Sequence, residues 1–337
     1  MDKGRTSRAT GFWVICLLIL ILDSKTVIAS AAQGIDLCVR VLIPSIFPFL
    51  VISSLVAANA GHCAIIRPLV RPLRLPEGAE DLFFLGLLSG YPVGASMVSQ
   101  AARSNRIAKR DADRLLAFCS NAGPSFIFGI GATLFPRIGY CLAQWLIQIM
   151  SAALVGIITP GKQTTAKEKR GQRLSVPRAL QNALPSMASI CGWVVLFRIL
   201  ITVLDRWALW ILPPEGEILA RGILELANGM VSMSEIGNIG QRMIYTSMLL
   251  SFGGICVWMQ TLSVADGLST RYYLPGKLAQ SAISFLLATA AQFLFPAHQR
   301  YIPHPLLLAL CAGIVISYWY FLRKSEISSR NSNLLGV

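Results

Sequence analysis

Glu225, Asn228 and Gly229 stand close together in an otherwise apolar stretch, Gly222-Ile-Leu-Glu225-Leu-Ala-Asn228-Gly229. A carboxylate in such surroundings costs several kcal/mol unless it is paired or hydrated, so it commonly faces a cavity and acts there. The Asn228 amide and the open backbone at Gly229 add polar contacts beside it. The carboxylate also has a plainer use, holding a chain reversal together by accepting backbone N–H bonds. A second cluster is Ser89, Gly90 and Tyr91 in Gly86-Leu-Leu-Ser89-Gly90-Tyr91-Pro92-Val-Gly94. Tyr91 could stack on a planar solute or hydrogen-bond it, and it could equally close a turn, because Gly-Tyr-Pro is turn chemistry.

Asn121 and Gly123 precede Pro124 in Phe118-Cys-Ser-Asn121-Ala-Gly123-Pro124. Proline removes a donor and disturbs the preceding turn, which leaves carbonyls free to coordinate a cation or a polar solute beside the Asn121 amide. A packing kink is the alternative. Gly253 and Gly254 suit close helix contact, and Gln260 either lines a cavity or marks the inner interface. Arg198, near the outer end of an apolar run, reads as a side chain that snorkels toward headgroups.

Enzymatic chemistry finds no support. The eight cysteines are scattered, without CxxC or metal-ligand spacing. The histidines His62, His298 and His304 have no carboxylate cluster. No catalytic residue, no metal site and no cofactor is expected.

These polar groups must be positioned by membrane helices. Hydrophobic residues make up 54% of 337 and charged residues 14%, and the mean hydropathy of +0.60 excludes an ordinary soluble domain. The expected fold is an all-α polytopic membrane protein with about eight transmembrane helices plus two re-entrant hairpins. Spans are expected near 12–30, 41–60, 115–135, 138–160, 182–204, 243–262, 278–296 and 305–322, with hairpins near 82–99 and 218–234. A net charge of +14 would suggest nucleic acid in a soluble chain. Here Lys and Arg occupy short loops, so the bilayer is the partner, no nucleic acid is expected, and the bias is topological.

Lys3, Arg5 and Arg8 precede the first apolar run, and Ala29-Ser30-Ala31 follows it. That pattern resembles a signal peptide, although a retained first helix fits a chain that stays in the membrane. With these residues cytoplasmic, Arg67, Arg71 and Arg74 on one side of 82–99 and Arg103 to Arg114 on the other both belong inside. The first hairpin then enters from the cytoplasm. The loop from Asp205 to Glu217, with Trp207 and Trp210, belongs outside, so the second hairpin enters from the outer face. Both termini are expected in the cytoplasm of a bacterial plasma (inner) membrane.

The halves align by motif. Pro44-Ser45 answers Pro185-Ser186, Gly86 to Gly94 answers Gly222 to Gly229, and Phe118 to Pro124 answers the stretch from Phe252 to Gln260. The expected organisation is an N-terminal anchor (1–40), a first repeat (41–160), a basic linker (161–178), an inverted second repeat (179–296) and a C-terminal helix with its tail (297–337). Paired interrupted segments of this kind point to a solute site in transporters.

Pro44-Ser-Ile-Phe-Pro48-Phe49, Gly90-Tyr-Pro-Val-Gly94, Phe118 to Pro124, Gly222 to Gly229 and Ser251-Phe-Gly-Gly254 with Gln260 resemble the YlbJ-type sporulation integral membrane proteins. That group lies within the nucleoside-recognition (Gate) domain superfamily, with concentrative nucleoside transporters and the membrane part of bacterial ferrous-iron transporters as wider relatives. The resemblance implies an all-helical membrane fold with inverted repeats, hairpins and a solute gate. The chain has no clear Gly-Gln-Thr-Glu element of the nucleoside transporters and no GxxxxGK[ST] loop. The expected function is alternating-access transport of a small polar solute, nucleoside-like solutes included, with room for a coupling cation. The contacts expected are Glu225, Asn228, Gly229, Asn121, Gly123, Ser89, Gly90, Tyr91 and Gln260. The alternative is a non-transporting membrane protein required for sporulation or spore envelope assembly.

Overall fold

The computed structural model describes residues 14, 17–59, 70–76, 79–159, 161, 174–265, 267–296 and 299–334. Lys3, Arg5, Arg8, His62, Arg67, His298 and most of the basic linker lie outside the described residues. Within them the chain forms fourteen α-helices and no strand.

The reason for this class is visible on one helix, Ile138–Ile158. Its exposed stripe is Ile138, Leu142, Leu146, Met150, Leu154 and Ile157, whereas its buried side carries Gln144, Gln148 and Ser151. Apolar outside and polar inside is the reverse of a soluble helix. Such a continuous exposed apolar face marks a membrane surface. Among the described residues four helical segments are long and apolar enough to cross a bilayer: Ile138–Ile158, Val176–Trp207, the pair spanning Ile239–Val264, and Pro305–Ser325. The chain is an integral, multi-pass membrane protein.

Helix α1 (Ser24–Leu37) runs through a π-helical turn, Cys38–Leu42, into α2 (Ile43–Asn59). Pro44 and Pro48 lack the N–H that a regular α ladder needs there. Helices α3 (Glu80–Ser89) and α4 (Val93–Arg103) are joined only by Gly90, Tyr91 and Pro92, and they pack on one another. They form the first helical hairpin. Next come α5 (Lys109–Leu115), α6 (Pro124–Leu134), α7 (Ile138–Ile158) and the long α8 (Val176–Trp207), which packs against α1 and α2. The second hairpin is α9 (Pro214–Leu224) and α10 (Leu226–Ser232), separated by Glu225 alone. Helices α11 (Ile239–Phe252) and α12 (Gly254–Val264) meet at Gly253. Helix α13 (Tyr273–Ala291) packs against α7, α11 and α14 (Pro305–Leu334).

Three expected spans are not continuous helices among the described residues, the run over 12–30 being interrupted by a turn at Asp23. The run over 115–135 breaks between Leu115 and Pro124, and the run over 243–262 breaks at Gly253, where Gly253 and Gly254 both have positive φ (+86° and +85°). Close contact, the use expected of these glycines, holds as well. A Cβ on Gly254 would lie 3.2 Å from the Gly222 carbonyl oxygen and 3.3 Å from that of Ile223. The span expected over 278–296 begins earlier, at Tyr273, and takes the fully buried Lys277 into its helix.

One group of ion pairs surrounds the end of α8 and the start of α9. Arg221 pairs with Asp205 at 3.0 Å and with Glu217, and Arg206 pairs with Asp23 at 3.2 Å. Trp207 and Trp210 are exposed beside them, the placement of an interfacial aromatic belt.

Candidate functional site

Each hairpin is set against a helix break. In the first half Gly86 and Gly94 face each other across α3 and α4, and both lie against the Cys119 carbonyl in the non-helical stretch after α5. Gly90, at φ +81° and ψ 175°, adopts a backbone geometry that only glycine holds without strain. A Cβ there would lie 3.1 Å from the Gly123 nitrogen, so the hairpin tip touches the break with no side chain between them. In the second half Gly229 packs directly on Gly222, and Gly254 meets the end of α9. The two halves use glycines alike, to bring interrupted backbones together.

Interrupted backbone leaves carbonyls that must find donors away from water. The Phe118 carbonyl accepts from Asn121 Nδ2 at 2.7 Å. The Leu250 carbonyl, freed by the Gly253 break, accepts from Gln148 Nε2 at 3.2 Å and from the Tyr91 hydroxyl. Gln148 Oε1 in turn accepts from Ser251 at 2.8 Å. Asn121 Oδ1 accepts from Gln280 Nε2 at 2.8 Å, and Lys277 Nζ stands 2.8 Å from Gln280 Oε1 and 3.4 Å from Asn121 Oδ1. A buried polar cluster on α7, α11 and α13 thus supports both breaks.

A small, partly open cleft of about 70 Å³ lies between the two hairpin tips. Its walls come from α2 and α8 as well as from both breaks. Ser89, Gly90 and Tyr91 line it from the first hairpin, Gly123 from the first break, Ser125 from the start of α6, Glu225 from the second hairpin, and Gln260 from α12. Asn121, Asn228 and Gly229 stand behind these walls. Asn121 belongs to the buried cluster, Gly229 packs on Gly222, and Asn228 contacts Glu225 from behind.

Glu225 is 4% exposed and caps α10. Its carboxylate accepts from Ala227 N at 3.0 Å, Asn228 N at 2.8 Å and Asn228 Nδ2 at 2.6 Å. Arg198 Nη1 donates to Asn228 Oδ1 at 2.8 Å, and its other nitrogens donate to Gln33 Oε1. In place of snorkelling alone, Arg198 fixes the orientation of the amide that holds Glu225. The helix-capping use of this carboxylate and its exposure to the cleft occur together.

Sequence reasoning missed Lys277, Gln280, Gln148 and Ser251. The available signal was periodic: Gln144, Gln148 and Ser151 recur on one face of an otherwise apolar run, and Lys277 and Gln280 are one helical turn apart. Among the described residues no group of three or more His, Cys, Asp or Glu side chains could hold a metal ion.

The chain is distantly homologous over most of its length to "Sporulation integral membrane protein YlbJ" of Bacillus subtilis (strain 168). The two are 23% identical over 326 residues, covering 81% of this chain and 78% of the relative. No protein-family model and no solved structure matches the chain.

Proposed function

We propose that this membrane protein transports a small polar solute by alternating access through the cleft between its hairpins. The observation that carries this reading is the convergence of two interrupted backbones on one cleft, with Glu225 in its wall. Broken segments meeting near the midplane at the interface of two repeats are how many secondary transporters build a solute site. On this reading residues 41–160 and 179–296 are inverted repeats. The first hairpin enters from the cytoplasm and the second from the outer face. With each broken pair counted as one crossing, the chain has about eight spans and cytoplasmic termini.

Glu225, Ser89, Tyr91 and Gln260 contact the solute through side chains, and Gly90 and Gly123 through the backbone. Asn121, Asn228 and Gly229 act from behind. The solute class includes nucleoside-like molecules, and at about 70 Å³ the cleft must widen to admit one. Rocking of the hairpins against α2 and α8 would open it to alternate sides.

The test is a panel of small polar solutes screened by thermal stabilisation of the purified protein, followed by uptake into proteoliposomes. Binding to the folded state raises its apparent stability. The expected result is a solute that stabilises and is taken up by the unsubstituted protein, with both effects lost in Glu225→Gln at equal protein level. Normal uptake by that variant would remove Glu225 from the site. The name of the Bacillus relative supports a second reading, a membrane protein that serves spore formation without moving a solute. It gains if no flux is found and loss of the gene still arrests spore maturation.

A further inference from the structure

Lys277 is fully buried, and among the described residues it forms no ion pair. An ammonium in that position must have its three N–H groups satisfied in some other way. Gln280 Oε1 takes one at 2.8 Å, Asn121 Oδ1 lies at 3.4 Å, and the Tyr91 ring centroid is 5.6 Å from Nζ. That last distance is within the range of a cation–π contact. One amide oxygen at hydrogen-bond distance, a second at its limit and an aromatic face surround the ammonium, and each member has a structural place. Asn121 belongs to the first helix break, Tyr91 to the first hairpin tip, and Gln280 to α13. Gly276 makes the approach possible, because a Cβ there would lie 3.0 Å from the Ala117 carbonyl oxygen.

Unwound backbone and half-helix ends in transporters commonly hold a coupling metal ion. We infer that in this protein Lys277 is a tethered cation occupying the position at the first helix break that a monovalent metal ion would otherwise take. Its charge ties the hairpin tip, the break and α13 into one unit. The role in coupling rests on the transport reading above, whereas the cation position itself does not. The Lys277 side chain leaves no exchangeable site there, so the unsubstituted protein is indifferent to the identity of the small cation in solution. Truncating the lysine opens a cation-sized space among oxygen atoms and an aromatic ring, which a free cation can fill.

The experiment is thermal unfolding of the full chain in detergent, in sodium, potassium, methylammonium and choline chlorides at matched ionic strength. It needs no solute, so its outcome is independent of whether uptake is ever found. The unsubstituted protein is expected to unfold at the same temperature in all four salts. Lys277→Ala is expected to unfold several degrees lower in choline and to recover in methylammonium or sodium. Lys277→Met, which fills the space without charge, is expected to be destabilised and to recover in none. Sodium-specific stabilisation of the unsubstituted protein overturns the inference, whatever the variants do. A Met variant as stable as the parent, or an Ala variant that no small cation restores, also overturns it by showing that the side chain serves only to pack.

Discussion

The Tyr91 hydroxyl donates to the Leu250 carbonyl, so the tip of the first hairpin closes a helix break belonging to the other half of the chain. Gln148 Nε2 donates to the same oxygen at 3.2 Å. The Tyr91 ring also lies against Gly253, where a Cβ would be 3.4 Å away, and lines the cleft. One side chain thus links the wall of the cleft to the integrity of the break.

Because Leu250 has two donors, losing one should be mild and losing both should not. Tyr91→Phe and Gln148→Leu are each expected to cost about 1 kcal/mol. The double variant should lose roughly 1 kcal/mol more than the sum, because a buried carbonyl is then left without a partner. Unfolding of the four proteins in one detergent measures that coupling, and strict additivity would show that the two donors act separately.

Gly94→Ala should prevent correct packing of the first hairpin. The added methyl would overlap the Cys119 carbonyl oxygen and lie 3.2 Å from the Gly86 Cα, both of them backbone groups that cannot swing away. A loss of about 3 kcal/mol or more is expected. Gly192→Ala and Gly313→Ala meet nothing within 4 Å and should be neutral or stabilising by up to about 1 kcal/mol. The yield of monodisperse protein and its unfolding temperature distinguish these cases.

Arg114 is buried at the end of α5, where it donates to the carbonyls of Thr159 (3.0 Å), Arg74 (3.1 Å), Gly156 (3.1 Å) and Leu73. It clamps three chain segments at one end of the bundle. Arg114→Met keeps the length of the side chain and removes every donor, at an expected cost of about 3 kcal/mol. Limited proteolysis of the 70–76 region should accelerate in the variant, and an unchanged rate would show that the clamp is dispensable.

Arg198 acts on Glu225 only through Asn228. Arg198→Leu should therefore weaken solute binding by roughly five- to tenfold, the equivalent of about 1 kcal/mol, while Glu225→Gln abolishes it. Titration of solute-induced stabilisation in both variants reads this difference. Equal losses would mean that Arg198 touches the solute itself.

Much of this arrangement is legible in the residues. Glycine and proline mark the first hairpin because no other residues allow so tight a reversal, and a lone carboxylate in an apolar run marks the second. The Asn121–Pro124 break was signalled by the missing proline donor. The break at Gly253 was not, because paired glycines serve close packing and positive φ equally well, and here they do both. Lys277 escaped notice for a different reason. It abuts the edge of the apolar run that begins near 278, so hydropathy separates it from the helix that buries it. Its partners Asn121 and Tyr91 are more than 150 positions away, and only tertiary contact brings them together.

The most direct test of alternating access requires no knowledge of the solute. Ser125 lines the cleft and is exposed. Ser125→Cys in oriented membrane vesicles should react with a membrane-impermeant thiol reagent from either side, above the labelling of the unsubstituted protein. Transport predicts labelling from both faces, with a bound solute shifting the balance between them. Labelling from one face only, under every condition, would contradict it.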